Sequence, residues 1–212
     1  MTEQNAPHPY FEVGADGWCR PDEVVRRSSP NCDERPAGSV IDLLLIHNIS
    51  LPPGQFGGPY IADLFGNRLA YDAHPYFEQL RPLRVSSHFL IVRDGGVIQF
   101  VSANQRAWHA GVSSFEGRER CNDFSIGIEL EGSDFEEFSV MQYGALTALT
   151  HALQCRYPLA AVAGHEHVAP GRKTDPGPFF DWAQYQQALA GHAPEISGKS
   201  PLRFPAIDKK VN

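Results

Sequence analysis

The sequence lacks long hydrophobic runs and lacks an excess of positive charge. No stretch approaches the ~20 apolar residues of a membrane-spanning helix. The formal net charge is −7 at pH 7, so the chain has no overall basic character for non-specific attraction to nucleic acid or to an anionic membrane. We therefore expect no nucleic-acid partner and no membrane partner, and no feature of the sequence implies a protein partner.

Cysteine is scarce, and an export signal is missing. The four cysteines are Cys19, Cys32, Cys121 and Cys155, and no two of them form a C-x-x-C pair. Residues 1–9 are polar and contain no apolar segment of the kind found in a secretory signal. Reduced thiols and a cytoplasmic location are the predictions, with Cys19 or Cys32 as a metal ligand the alternative.

The length and composition are those of one globular domain. The chain has 212 residues, of which 42% are hydrophobic and 20% are charged. We expect a single domain over residues 10–190, preceded by a flexible leader over residues 1–9. The Gly, Pro and Lys content after Gly191 predicts a loosely held tail over residues 191–212.

Short apolar segments predict a buried sheet. Residues 40–47 form a nearly continuous apolar run that is typical of a central strand, and this run ends in His47. Residues 88–92 and 97–101 flank Asp94-Gly95-Gly96, which predicts a β-hairpin because Asp-Gly tolerates the positive φ of a tight turn.

A further strand carries two acidic side chains. Residues 124–131 alternate between apolar and polar types, so Glu129 and Glu131 share one face with the small Gly127. We expect Gly127 to leave room for a substrate beside Glu129. A solvated outer face is the alternative explanation for the two glutamates.

Helical patterns complete the predicted architecture. Residues 139–157 have apolar side chains at helical spacing, and Ser139 and Gln142 form a capping-box pattern at the start. Asp181 is in position to cap a last helix. The fold class is α/β (mixed α+β), with a central mixed β-sheet flanked by helices.

One loop contains several residues that are able to bind a metal ion or take part in catalysis. Residues 164–178 are rich in Gly and Pro and contain His165, Lys173 and Asp175. The loop has little apolar surface to bury, and imidazole and carboxylate groups suit Zn²⁺. A polar surface loop with an incidental histidine is the alternative.

A zinc hydrolase needs three protein ligands, a base for the attacking water and a positive group near the developing oxyanion. His47, His165 and Asp175 offer the ligands, Lys173 the positive charge, and Glu129 or Glu131 the base. Spacing does not single out this set among nine histidines. Four other histidines therefore stay candidates at this point, namely His74, His88, His109 and His167.

Several segments resemble the AmpD family of cytoplasmic 1,6-anhydro-N-acetylmuramoyl-L-alanine amidases, which act in bacterial cell-wall recycling. The resemblance runs from about residue 40 to residue 190. It is carried by His47-Asn48-Ile49-Ser50-Leu51-Pro52-Pro53-Gly54, Arg106-Ala107-Trp108-His109-Ala110-Gly111, residues 118–132 and Arg172-Lys173-Thr174-Asp175-Pro176-Gly177. The resemblance implies the fold shared with phage amidases and peptidoglycan-recognition proteins.

The resemblance also implies a reaction and a site. The expected reaction is zinc-dependent hydrolysis of the amide between the lactyl group of 1,6-anhydro-N-acetylmuramic acid and L-alanine. The family's zinc ligands fall on His47, His165 and Asp175, its catalytic glutamate on Glu129 and its oxyanion-stabilising lysine on Lys173. The chain departs from the family just after the second ligand, where Glu166 replaces the usual Cys and His167 is an added histidine; both are candidates to perturb the surroundings of the metal.

Substrate contacts are expected to come from four further residues. The peptide stem of an anhydro-muropeptide is anionic, and Arg84 and Arg120 are our candidates for its carboxylates because a guanidinium pairs with a carboxylate through two hydrogen bonds. Asn48 is the candidate for pairing with the peptide backbone, and Trp108 for contact with the sugar.

Two other functions compete with this one. The first is a non-catalytic module that binds peptidoglycan or muropeptides without zinc, and the second is a lytic amidase that acts on intact peptidoglycan. The complete set of ligands with Glu129 and Lys173 favours the enzyme over the binding module. The missing export signal argues against the lytic amidase.

Overall fold

The computed structural model describes residues 10–20, 24–191 and 201–206. Its centre is a six-stranded mixed sheet with the strand order β1–β5–β4–β9–β3–β10, in which β4 and β5 are antiparallel and the other neighbouring pairs are parallel. Within the described residues, two small antiparallel pairs, β2 with β6 and β7 with β8, lie outside this sheet. The strands are β1 (Val25–Arg26), β2 (Cys32–Asp33), β3 (Leu43–Ile49), β4 (Phe89–Ile91), β5 (Val97–Gln99), β6 (Arg106–Ala107), β7 (Ser114–Phe115), β8 (Arg118–Glu119), β9 (Ser125–Glu131) and β10 (Ala161–Gly164).

In the part of the chain that the structure describes, four α-helices and three short 3-10 helices connect or cover the strands. The α-helices are α1 (Tyr60–Phe65), α2 (Val140–Arg156), α3 (His165–Val168) and α4 (Trp182–Gly191). The 3-10 helices are Tyr71–Ala73, Pro75–Leu80 and Cys121–Asp123. The predicted class, a mixed α/β fold with a central mixed sheet flanked by helices, is confirmed.

One face of the sheet is apolar and packs against α2. Leu44 and Ile46 of β3 and Ile128 of β9 belong to the largest buried cluster of the described residues, together with side chains of α2 and α4. The helix α2 begins after Ser139, whose hydroxyl accepts the N–H of Gln142 while the Gln142 side chain accepts the N–H of Ser139. The predicted capping box is therefore present.

The other face of the sheet carries polar and small residues among buried leucines such as Leu45 and Leu90. Because side chains alternate along a strand, His47 of β3 shares this face with Ser125, Gly127, Glu129 and Glu131 of β9. The strands β9, β3 and β10 are parallel, so their carboxyl ends meet at one edge, where α/β proteins commonly place their ligands. The predicted hairpin is also present, formed by β4 and β5.

The division of the chain into a leader, one domain and a tail stays a prediction. The leader over residues 1–9 lies outside the described residues, as does most of the predicted tail. Of the described tail residues, Gly191 ends α4, and residues 201–206 run beside β10, where the N–H of Val162 donates to the carbonyl of Arg203 at 2.8 Å. Among the described residues, no helix has the length and apolar character needed to cross a membrane.

Candidate metal and catalytic site

Neighbouring parallel strands deliver the candidate residues to one edge of the sheet. In the register of β3 and β9, His47 is paired with Glu129. In the register of β3 and β10, Gly164 is paired with Ile46, so His165 emerges from β10 beside His47. Residues far apart in the sequence therefore meet because the strand register aligns them.

Three acceptor atoms converge at this edge. His47 Nδ1 lies 3.1 Å from His165 Nδ1 and 2.9 Å from Asp175 Oδ2, and His165 Nδ1 lies 3.1 Å from the same oxygen. His165 Nε2 is 3.0 Å from the carbonyl oxygen of Ala110, which can only accept, so His165 carries its proton on Nε2 and a lone pair on Nδ1. Within the described residues, these three side chains are the group of His, Cys, Asp and Glu residues placed to share a metal ion.

The charges at this edge favour a cation. Burial lowers the pKa of His47, and a metal ligand must be a neutral imidazole. Two imidazole nitrogens and one carboxylate oxygen present electron pairs to the same point, and this donor set fits Zn²⁺.

A polar network holds the loop that carries Asp175. The side-chain amide of Asn48 donates to Asp134 Oδ1 at 2.6 Å and to the carbonyl of Pro176 at 3.0 Å. The hydroxyl of Thr174 donates to Asp134 Oδ2 at 2.5 Å. The sequence does not indicate Asp134 as a site residue, because no local pattern distinguishes it from other acidic residues in loops. The amide donor of Asn48 is engaged in this network, and its predicted pairing with substrate stays a prediction.

The two glutamates of β9 have different surroundings. Glu131 is 2% exposed, and its carboxylate accepts the N–H of Gly57 at 2.6 Å and the N–H of Arg93 at 3.1 Å. Glu129 is 8% exposed, and its Oε2 has no hydrogen-bond partner among the described residues. Glu131 therefore binds the backbone of two loops, whereas Glu129 has an oxygen without a hydrogen-bond partner near the three convergent acceptors.

The pKa of Glu129 is tuned by its neighbours. Burial raises this pKa well above its ordinary value, the charge of Asp175 raises it further, and the charge of Lys173 lowers it. Lys173 is exposed and makes no ion pair with the described residues. A carboxyl group with a raised pKa and a nearby unpaired ammonium group is an arrangement that occurs at active sites.

Three of the four competing histidines make other contacts. His74 accepts the N–H of Tyr76 and caps a 3-10 helix. His88 accepts the N–H of Gly127 at 3.0 Å. His109 lies 2.9 Å from His47 Nε2, on the side of that ring away from Asp175.

His167 and Glu166 occupy the turn after the ligand His165. His167 Nδ1 accepts the N–H of Gly164 at 2.9 Å, and its ring lies against Trp182. Burial and the charges of Asp175 and Asp134 raise the pKa of Glu166 to about 7. The side chain of His167 therefore packs against the protein. The pKa of the Glu166 carboxyl group, by contrast, depends on the charge of the candidate metal ligand Asp175.

The predicted substrate residues lie on separate loops. The Arg84 guanidinium donates to the carbonyls of Arg81 and Leu83. Arg120 is exposed, with φ of +61°, and its Nε lies 3.2 Å from Asp123 Oδ2. The guanidinium groups are thus accessible on the surface, and their roles stay predictions.

The indole of Trp108 contacts Asp33, an acidic residue that the sequence does not indicate as part of a site. The indole N–H of Trp108 donates to Asp33 Oδ1 at 3.2 Å, and Arg106 holds both oxygens of Asp33 at 2.6 and 2.5 Å. Asp33 reaches this position because β2 pairs with β6, a contact that no local sequence pattern announces. The role of Trp108 as a sugar contact also stays a prediction.

Comparisons with known proteins identify the family. The family model described as N-acetylmuramoyl-L-alanine amidase matches residues 37–178, a range that contains the three convergent acceptors and Glu129. The chain belongs to this family. Within the family, this amidase is 55% identical over 173 residues to the 1,6-anhydro-N-acetylmuramyl-L-alanine amidase AmpD of Citrobacter freundii, with 81% of this chain and 91% of that protein covered.

Solved structures agree with the membership of this amidase in the family. A crystal structure of a selenomethionine derivative of AmpD is 54% identical, has a TM-score of 0.80, and covers 82% of this chain and 97% of its own. The complex of the amidase AmiD from E. coli with anhydro-N-acetylmuramic acid-L-Ala-D-gamma-Glu-L-Lys is 27% identical with a TM-score of 0.53, and covers 83% of this chain and 65% of its own.

Proposed function

We propose that the chain is a zinc-dependent amidase that hydrolyses the amide between the lactyl group of 1,6-anhydro-N-acetylmuramic acid and L-alanine of soluble muropeptides, in cell-wall recycling. The observation that carries the proposal is the convergence of His47 Nδ1, His165 Nδ1 and Asp175 Oδ2 within 3.1 Å of one another, in a chain 55% identical to a 1,6-anhydro-N-acetylmuramyl-L-alanine amidase. The proposed substrate is a small molecule, and the proposed location is the cytoplasm.

In this proposal the three convergent residues hold the zinc ion. Zinc bound there would lower the pKa of a water molecule and polarise the carbonyl of the scissile amide. The other ring nitrogen of each imidazole is held in a hydrogen bond, to His109 for His47 and to the Ala110 carbonyl for His165, which orients both Nδ1 atoms toward the metal position.

Proton transfer is assigned to Glu129. Its free Oε2 accepts a proton from the attacking water, and the neutral carboxyl group then returns that proton to the leaving amine. A raised pKa suits the second step, because a carboxyl group of ordinary pKa would hold the proton too weakly to deliver it efficiently.

Charge stabilisation is assigned to Lys173. Its ammonium group is near enough to lower the pKa of both Glu129 and His47. The same positive charge stabilises the negative charge that develops on the carbonyl oxygen during attack. Arg84 and Arg120 are proposed to bind the stem carboxylates, with Trp108 at the sugar and Asn48 at the peptide backbone.

Zinc content and substrate preference test the proposal together. Elemental analysis should find one zinc per chain, and a soluble anhydro-muropeptide should be cleaved much faster than intact sacculi. His47→Ala, His165→Ala and Asp175→Ala should each lose zinc and turnover, because three protein ligands are the minimum for such a site.

Three other results would contradict the proposal. Muropeptide binding without zinc or hydrolysis would make the chain a binding module, and faster cleavage of sacculi would make it a lytic amidase. Stoichiometric zinc retained by Asp175→Ala would assign the third ligand to another residue. Fractionation of cells that express the chain at native level checks the proposed location.

A further inference from the structure

A second histidine stands behind the metal-facing histidine of β3. His47 Nε2 lies 2.9 Å from His109 Nδ1, and the two rings meet edge to face with centroids 5.0 Å apart. Only one of these two nitrogens can donate the hydrogen between them when both imidazoles are neutral. The direction of this hydrogen bond therefore decides which nitrogen of His47 keeps a lone pair.

The partners of His109 fix that direction. The hydroxyl of Ser125 donates to the carbonyl of Cys121 at 2.6 Å, and since a hydroxyl has one hydrogen, its oxygen can only accept from His109 Nε2, 3.3 Å away. His109 therefore carries its hydrogen on Nε2 and a lone pair on Nδ1. His47 must then donate from Nε2, which leaves its own lone pair on Nδ1, facing His165 and Asp175.

The backbone around His109 holds its ring in place. A Cβ atom added to Gly127 would lie 2.6 Å from both Cγ and Nδ1 of His109, so this ring occupies the space that a side chain on β9 would fill. The N–H of His109 donates to the side chain of Asn122 at 3.2 Å. The space that we expected Gly127 to leave for substrate is thus filled by His109.

We propose that His109 is a positioning residue that locks His47 in the tautomer with hydrogen on Nε2 and thereby sets the metal affinity of the site. The other tautomer would direct a hydrogen from His47 Nδ1 at the metal position. This inference rests on the proposed function, because it takes His47 as a metal ligand. It assigns no contact with substrate to His109.

Two substitutions separate the hydrogen bond from the packing. His109→Phe keeps a ring against Gly127 but removes the acceptor for His47 Nε2–H. His109→Asn loses the ring but carries an oxygen near the place of Nδ1 that accepts the same hydrogen. Zinc affinity, measured by chelator competition on the metal-free proteins, should fall about 10–100-fold in His109→Phe. In His109→Asn it should stay within a few-fold of the wild type.

The tautomer itself gives a readout that packing does not control. Long-range proton–nitrogen correlation spectra of the metal-free, 15N-histidine protein should show His47 protonated at Nε2, with the signal assigned from its loss in His47→Ala. The His109→Phe spectrum should show both tautomers. Gly127→Ala, which displaces the His109 ring without removing a polar group, should weaken zinc binding as His109→Phe does.

The matched control is His74→Phe, because His74 caps a distant 3-10 helix and should leave zinc affinity unchanged. The inference is overturned if His109→Phe, folded by circular dichroism, binds zinc as tightly as the wild type, or if His109→Asn is as weak as His109→Phe. A wild-type protein that binds no zinc would instead contradict the proposed function, so the two failures can be told apart.

Discussion

The two faces of the central sheet follow different rules. On the face that packs against α2, Leu44, Ile46 and Ile128 are less than 2% exposed and meet other apolar side chains. On the opposite face, His47 and Glu129 are almost as deeply buried but are polar. Burial of this kind stabilises the first face, whereas on the second it costs free energy unless each polar group finds a partner.

Two other buried polar residues of this face have hydrogen-bond partners that offset this cost, whereas the candidate site does not. Glu131 has two backbone donors, and His88 has hydrogen-bond partners at both ring nitrogens. Glu129 Oε2 has none among the described residues, and three acceptors converge without a donor between them. Among His88, Glu129 and Glu131, the missing hydrogen-bond partner distinguishes Glu129, whereas polarity and burial do not.

The sharpest test of this comparison uses the two glutamates of β9. Glu129→Ala should keep zinc and fold but lose about 10²–10⁴-fold in kcat, since general acid–base catalysis contributes roughly that factor. Glu131→Ala should retain most of kcat and instead lower stability, because it leaves the N–H groups of Gly57 and Arg93 without their acceptor. Steady-state kinetics, elemental analysis and urea unfolding measure the three quantities.

The loss of kcat in the two variants decides which glutamate is the base. Near-normal kcat in Glu129→Ala would remove it as the base. A larger kinetic defect in Glu131→Ala than in Glu129→Ala, with zinc bound in both variants, would reverse the assignment.

A substitution on the apolar face should lower stability and leave kcat and zinc binding unchanged. Leu149 of α2 is fully buried in the cluster that includes Ile46 and Ile128. Leu149→Ala should lower the free energy of unfolding by about 2–5 kcal/mol, through lost burial and the cavity left behind. At a temperature where the variant is folded, kcat and zinc content should match the wild type. A kinetic defect as large as that of Glu129→Ala would show that the two faces are not separable.

The sequence predicts those parts of the fold whose causes are local. The capping box at Ser139 and the apolar spacing after it predict a helix over residues 139–157, and the structure has Val140–Arg156. The Asp94-Gly95-Gly96 turn predicts the hairpin, and Gly95 has the positive φ, +86°, that such a turn requires. Alternation along β9 places both glutamates on one face, as predicted.

Long-range contacts are what the sequence does not reveal. Alternation gives Glu129 and Glu131 the same face, and only the arrival of Gly57 and Arg93 from other loops distinguishes them. The placement of His109 over Gly127 and of Asp33 under Trp108 likewise depends on segments that meet only in the folded chain. The resemblance to a family supplies a ligand set, but not the hydrogen bonds that direct it.

The smallest expected effect is the pH dependence of stability that His88 contributes on the polar face. His88 is fully buried, and burial followed by the charge of Arg35 lowers its pKa to about 3, although the hydrogen bond to the Gln105 carbonyl opposes this. The His109 ring lies beside it, with centroids 5.5 Å apart. In the unfolded chain the pKa of a histidine is about 6.5. Between these two values the unfolded state binds a proton that the folded state does not.

Stability contributed by neutral His88 is therefore fully present above pH about 6.5 and is lost as the pH falls toward about 3. One such proton gives a slope of about 1.4 kcal/mol per pH unit. His88→Gln, which cannot titrate, should be less stable at neutral pH but should lose that much of the slope. Urea unfolding of both metal-free proteins in chelator, at several values between pH 6.5 and the acid limit of folding, measures it. As a control, Leu149→Ala, on the apolar face, should keep the wild-type dependence of the unfolding free energy on pH. If His88→Gln also keeps the wild-type slope, His88 binds its proton equally well in the folded and unfolded states, which contradicts the prediction.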